Sequence, residues 1–307
     1  MSGWTRALDA AGITDPLLRD DYTRQRQQVT RYRREAALAA QLLLPARLVP
    51  HVIAATAYMN RTDTLLDSGP PEGRRAAYAQ WEGEVEQALA TGETDRTELR
   101  PFLHTVRAHP ALRALVPEHL AGALADLDFP GFATEADYQV YLDTYALPAF
   151  MVVATLLGPS GDQDAYRAAC RTYLDAAQRI DFLADLAEDL ADGRLTIPQE
   201  ALDQHGVTRA DLERGADRPA VRALLTAQLD HADRTLAEGR AVIGLAPPAH
   251  RPMVRCMVAL DALTSRAARA DLPALLRRPA GPPKGAALRL LAREYLRARR
   301  VRGAAGG

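Results

Sequence analysis

Nowhere along its 307 residues does this chain keep apolar and polar residues alternating for more than a few positions. A strand half-buried in a sheet needs that two-residue period, whereas a packed helix needs apolar residues three and four apart. Alanine, leucine and arginine dominate and β-branched residues are sparse, which favours helix residue by residue. The expected fold is all-α: a single-domain helical bundle with a core built from the 48% of residues that are apolar. Helices are expected over 16–43, 47–66, 71–91, 96–108, 111–126, 135–157, 161–191, 207–214, 218–242, 247–269 and 286–302. Clusters such as "SGPPEG", "FPGFAT", "GPSGD" and "RPAGPP" punctuate them. None of these breaks is long or polar enough to be an interdomain linker, and no repeat of 30–45 residues recurs. One domain is expected over 1–302, with a disordered tail at 303–307.

Several function classes drop out on composition. A net charge of −1 gives no global attraction to nucleic acid. Cys170 and Cys256 have no CxxC spacing, against both a disulfide scaffold and a zinc site. The seven histidines show no HxxxH or HExxH, and no GxSxG, GxGxxG or GxxxxGK[ST] stands in a strand-to-helix context. The start "MSGWTRALDAAG" has no signal-peptide pattern, so a cytoplasmic location is the expectation. The most apolar run, "LPAFMVVATLLG", falls short of the ~20 residues that span a bilayer and reads as a buried helix. The basic amphipathic stretch "LRLLAREYLRARRVRG" has two readings: a solvated terminal helix, or a peripheral contact with a membrane that delivers greasy substrates. Nothing in the sequence sets an oligomeric state.

Two acidic ladders interrupt the apolar helices. Asp63 and Asp67 lie one turn apart after "LVPHVIAATAYM", and Asp181, Asp185 and Asp189 are spaced i, i+4, i+8 in "QRIDFLADLAEDLADGRLTIPQE". Like charges at that spacing repel by about a few tenths of a kcal/mol and call for a counter-charge, which intrahelical arginine does not supply here. Ile180, Leu183, Ala187 and Leu190 cover the adjacent face, placing the second ladder at the edge of the buried side. A solvated face explains either ladder alone. Two on apolar helices suit Mg²⁺, which takes oxygen ligands and shares its shell with substrate phosphates. Facing each other across a bundle, they would grip a diphosphate while the surrounding helices kept the hydrocarbon dry.

The stretches "AAQLLLPARLVPHVIAATAYMNRTDTLLD" and "QRIDFLADLAEDLADGRLTIPQE" resemble the two aspartate signatures of the squalene/phytoene synthase family. Leu44-Pro45 precedes the first ladder as in that family, and Gln178, Asp185, Glu188, Asp189, Gly193, Arg194 and Pro198 match its second pattern. The resemblance runs from about residue 20 to 270. It implies an all-α class I isoprenoid synthase that uses Mg²⁺ to join two prenyl diphosphates of the farnesyl or geranylgeranyl class head to head. Asp63, Asp67, Asp185 and Asp189 would be the metal ligands, with Asp181 as an additional one. Arg61, Gln178 and Arg194 would contact diphosphate, and Tyr141 matches a family tyrosine.

Departures from the family fall at functional positions. Asp181 replaces an asparagine, Ala184 an arginine, and Asn60 an arginine beside which Arg61 stands. The serine-rich start of the first helix becomes "RYRREAA", making Arg33 and Arg34 candidate charge-assisted phosphate donors. Leu142 replaces a cysteine, and Ala149-Phe150 replaces a Val-Gly pair, which predicts a smaller cavity. A single prenyl diphosphate that is cyclised, or passed to another acceptor, therefore stays open beside condensation, as does a catalytically silent isoprenoid-binding protein. Tyr58, Tyr145, Phe150 and Phe182 are candidates to face a carbocation with their rings, or to pack the core.

Overall fold

The computed structural model describes residues 2–67, 70–127, 129 and 131–304, and every regular element among them is helical. Ser2 caps α1 (Gly3–Ala10), accepting from the Thr5 amide, and Asp15 caps α2 (Pro16–Tyr32) with Pro16 preset at its first position. Arg33, with φ −134° and ψ 50°, separates α2 from α3 (Arg34–Leu43). A 3₁₀ turn then leads into α4 (Val49–Asp67). α5 (Pro71–Thr91) ends on left-handed Gly92, and α6 (Arg100–Ala108) and α7 (Leu112–Leu127) follow. A Thr134–Asp137 capping box starts α8 (Glu135–Tyr141), which runs through a π turn at 142–146 into α9 (Leu147–Leu157).

The second half begins with α10 (Gln163–Ala184), α11 (Leu186–Ala191), α12 (Gln199–Gln204) and α13 (Arg209–Glu213). It closes with α14 (Pro219–Gly239), α15 (Val242–Leu245), α16 (Arg251–Ala270) and α17 (Lys284–Ala304). α4 is central, packing on α2, α5, α6, α7 and α9, while α10 lies against α14, α16 and α9. The main core gathers Tyr22, Ile53, Tyr78, Phe102, Leu112 and Val152, and a second apolar cluster around Leu186, Leu202, Leu224 and Leu229 supports α11 to α14.

The all-α expectation holds, with differences in detail. The expected helix 16–43 is two helices jointed at Arg33, and 161–191 is broken at Asp185. Neither joint contains proline or glycine. α1, α12 and α15 were not expected; each is eight residues or fewer, too short for a clear period. Gly303 and Ala304 extend α17, and the remainder of the expected tail, 305–307, lies outside the described residues. The helical run Glu135–Leu157 is 23 residues, longer than its most apolar segment and apolar enough to cross a bilayer. Here it is a core helix: Leu147, Pro148, Met151 and Val152 are buried against α4, α7 and α10.

Pro148 explains the π turn. It has no N–H for the Thr144 carbonyl one turn back, so the helix widens and that oxygen turns outward. Gly122 of α7 receives it: a Cβ there would stand 2.0 Å from the Thr144 oxygen. Gly122→Ala should therefore destabilise the fold by about 1–3 kcal/mol. The check is the urea midpoint, and an unmoved midpoint would show that α7 and α9 have freedom to separate.

Candidate active site

α4 changes character along its length. Val52, Ile53, Ala54 and Ala55 are buried, and the later turns carry Asn60 and half-buried Asp63 to the mouth of a cavity of about 360 Å³. Ile53, Val153, Leu157, Met253 and Met257 make its apolar wall, with Phe150 among them. Tyr32, Arg33, Asn60 and Asp63 form its polar rim. Asp67 ends α4, and its side chain lies outside the described residues.

The second ladder stands on α10 and α11. Asp185 sits at the joint, donating its N–H to the Asp181 carbonyl at 2.9 Å while its own carbonyl accepts from Asp189 N–H at 3.0 Å. The chain then folds back through left-handed Gly193, so the Arg194 amide bonds the Asp189 carbonyl at 2.7 Å. Burial raises the Asp181 carboxyl to about 6; Asp185 and Asp189 push the same way, and Arg33 opposes. Water still reaches Asp181 in its cleft, so this shift has little weight in folding stability. Asp185 is raised by burial against the pull of Arg33, and Asp189 by burial against that of Arg194.

Arg33 is thus the counter-charge that the ladder lacks along its own helix. It acts on Asp181 and Asp185 from the α2–α3 joint and shares the cavity rim with Asp63. Both also bear on Tyr32, whose hydroxyl is pushed up to about 12 by burial, with Arg33 lowering it and Asp63 raising it. Arg33 therefore acts on Asp181 and Asp185 of the second ladder and shares the cavity lining with Asp63 of the first, while Asp181, Asp185 and Asp189 do not themselves line that cavity.

The remaining candidates divide. Arg61 does not face the cavity: it lines an adjoining pocket with Gln25, Asn60 and Glu98, lies 3.6 Å from Glu98 and sits over Trp81. Asn60, not Arg61, reaches the rim, because neighbours on a helix point about 100° apart. Arg34 is exposed at the start of α3, and Gln178 is half-buried on α10; neither lines the cavity. Tyr58 is a core residue, 1% exposed and stacked on Phe102 at 4.0 Å, so it cannot face a substrate. Tyr141, Tyr145 and Phe182 meet in an aromatic cluster with Phe129, Phe132 and Tyr138, and the Arg194 guanidinium lies 5.4 Å from the Phe129 ring. Sequence reasoning missed Tyr32 and a partly buried pair, Tyr173 Oη donating to Asp261 at 2.6 Å, with the Tyr173 ring beside Phe150. A lone acid one turn after Met257 in apolar α16 was the available signal for Asp261.

Among the described residues no three side chains converge into a ready-made metal site. The chemistry of the donors is of the kind a hard divalent cation takes: carboxylate oxygens on both ladders, with no sulfur or imidazole among them.

The squalene/phytoene synthase profile matches residues 29–285. The chain belongs to that family. It is 33% identical over 226 residues to the "Bifunctional protein CrtB/UppS" of Streptomyces coelicolor, covering 73% of this chain and 40% of that protein. It is 28% identical over 188 residues to the "Presqualene diphosphate synthase" of Sinorhizobium fredii, covering 58% and 65%. The chain thus spans less than two thirds of the length of either relative. A solved dehydrosqualene synthase shares its fold, with a TM-score of 0.80 over 90% of this chain and 96% of that one at 19% identity.

The raised carboxyls set the pH response. Folded Asp181 holds its proton up to about 6, whereas an unfolded aspartate loses it near 3.9, so metal-free stability falls slightly as pH rises through that window. Mg²⁺ held by these carboxylates would compete with protons for the same oxygens. Mg²⁺ should raise the melting temperature at pH 7.5 and do so much less at pH 5; a thermal shift independent of pH would place the cation elsewhere.

Proposed function

We propose that this protein ionises an allylic prenyl diphosphate of the farnesyl or geranylgeranyl class and joins two such molecules head to head. The observation that carries this reading is Arg33 and Asp63 on the rim of an apolar cavity, with Asp181 and Asp185 within electrostatic reach of that arginine. The family and the names of its relatives agree with it.

Asp63, Asp181, Asp185 and Asp189 would hold Mg²⁺, with Asp67 assigned beside Asp63 on the family pattern. A metal held there would supply positive charge against the diphosphate as the allylic C–O bond breaks. Arg33 donates to the diphosphate oxygens and keeps the leaving group at the rim. The isoprenoid chain lies along Ile53, Val153, Met253 and Met257, where little water can reach the carbocation. Phe150 presents its ring inside the cavity, and Tyr141, Tyr145 and Phe182 offer further aromatic faces near the second ladder. Phe150 also favours a second reading, ionisation of one prenyl diphosphate followed by cyclisation or transfer to another acceptor. Its ring takes up cavity volume that a second chain would use.

Incubation with geranyl, farnesyl and geranylgeranyl diphosphates plus Mg²⁺ separates these outcomes. A product of twice the substrate's carbon number is expected. A cyclic product of equal carbon number selects the second reading, and no diphosphate release from any substrate would leave a silent binding protein. Asp63→Ala and Asp185→Ala should each lower diphosphate release at least ~100-fold, the scale of losing a transition-state electrostatic contact, with helicity kept in far-UV circular dichroism. Phe150→Ala should improve kcat/KM for the longest substrate relative to the shortest; an unchanged ratio would remove Phe150 from the chain-length boundary.

A further inference from the structure

Charge in this chain is unevenly distributed. From Leu272 to Gly307 there are nine basic residues and a single acid, Glu294, while the whole chain has a net charge of −1, so the rest is acidic. α17 carries most of that positive charge and turns its one acid inward. Glu294 is fully buried, with Arg255 at 3.1 Å and Arg293 at 3.4 Å, and Arg297 also pairs with it. The inner stripe of α17, with Leu290, packs on Leu43 of α3 and Cys256 of α16. Its outer stripe runs Leu288, Ala292, Leu296, Arg300 at four-residue steps. Leu288 is 65% and Leu296 56% exposed, among the barest large apolar side chains of the molecule.

The flanks of that stripe are cationic. Arg289, Arg299 and Arg300 are exposed and make no ion pair among the described residues. Arg300 also reaches a surface groove of about 470 Å³, shared with Arg251, Arg255, Arg297, Pro248 and Pro252 between the start of α16 and the end of α17. We propose that the outer face of α17 docks on an anionic phospholipid bilayer, with Leu288 and Leu296 entering the acyl boundary and the Arg300 groove taking a headgroup phosphate.

Charge complementarity selects this occupant. A bilayer of negative lipid rewards both halves of the stripe, burying bare leucines while arginines stay at headgroup level. Nucleic acid would gain nothing from Leu288 and Leu296, and two copies of this face would oppose like charges. The location is apt, because α17 covers the back of α3, whose other face contributes Ala36, Ala37 and Ala40 to the cavity. A hydrocarbon product would then leave the cavity one helix away from lipid.

The test is sedimentation of the full chain with vesicles of phosphatidylcholine, with and without phosphatidylglycerol. Binding to the anionic vesicles is expected, weakening with added salt. Leu288→Ser with Leu296→Ser should weaken it at least ~10-fold, and Arg289→Gln and Arg299→Gln roughly fivefold each. None of these residues lines the cavity, so diphosphate release from geranyl diphosphate in solution should match the parent protein and be read separately from vesicle binding. Equal binding to pure phosphatidylcholine would overturn the proposal. So would vesicle binding that ignores the leucine substitutions and is displaced by duplex DNA, which marks a general polyanion surface. A dimer in light scattering that the same leucine substitutions dissolve would assign the stripe to a second copy of the chain.

Discussion

Carboxylates lined up one turn apart repel each other and need a cation nearby. α10 and α11 present three of them, and none of the three has an arginine partner on its own stripe. The fold answers from another helix, bringing Arg33 to the rim where Asp63 also stands. That arrangement holds the site together electrostatically and also leaves it receptive. Arg33 balances only part of the charge, since Asp181, Asp185 and Asp189 all remain above the usual carboxylate range. In the proposed function a divalent cation with a diphosphate would complete that balance, and the apolar cavity lined by Arg33 and Asp63 would take the chain the diphosphate carries.

The backbone is irregular where this arrangement needs it. The α2–α3 joint releases Arg33 from either helix's direction, and the α10–α11 joint re-aims Asp185 without losing the turn to Asp189. The π turn before Pro148 lets α8 and α9 continue as one rod while shifting the register between Tyr141 and Phe150, which face different parts of the site. Regular helices elsewhere act as the rigid frame. Local rules bend at sites of chemistry and are kept where only packing is at stake.

Much of this was legible in the residues. A missing strand period and short Pro/Gly breaks suffice for the fold class, because the helical period is a strong signal over long segments. Asp181 and Asp185 were visible from spacing, and Phe150 as a bulky ring where the family pattern has glycine. The joints were not, since Arg33 and Asp185 are ordinary helix residues that break only in their tertiary context. Tyr58 and Tyr141 look alike in sequence; one stacks on Phe102 inside the core and the other joins the aromatic cluster, a distinction made by the neighbouring helices. Asn60 and Arg61 stand one residue apart, and on a helix one residue is the difference between lining the cavity and facing Glu98.

The central claim is that the two acidic walls and Arg33 converge on one metal–diphosphate site. Crystals soaked with Mn²⁺ and pyrophosphate test it directly through anomalous scattering. The account predicts manganese peaks between Asp63 and the Asp181–Asp185 turn, with the Arg33 guanidinium on the pyrophosphate oxygens. Manganese bound away from both walls, or pyrophosphate seated without Arg33, would contradict it.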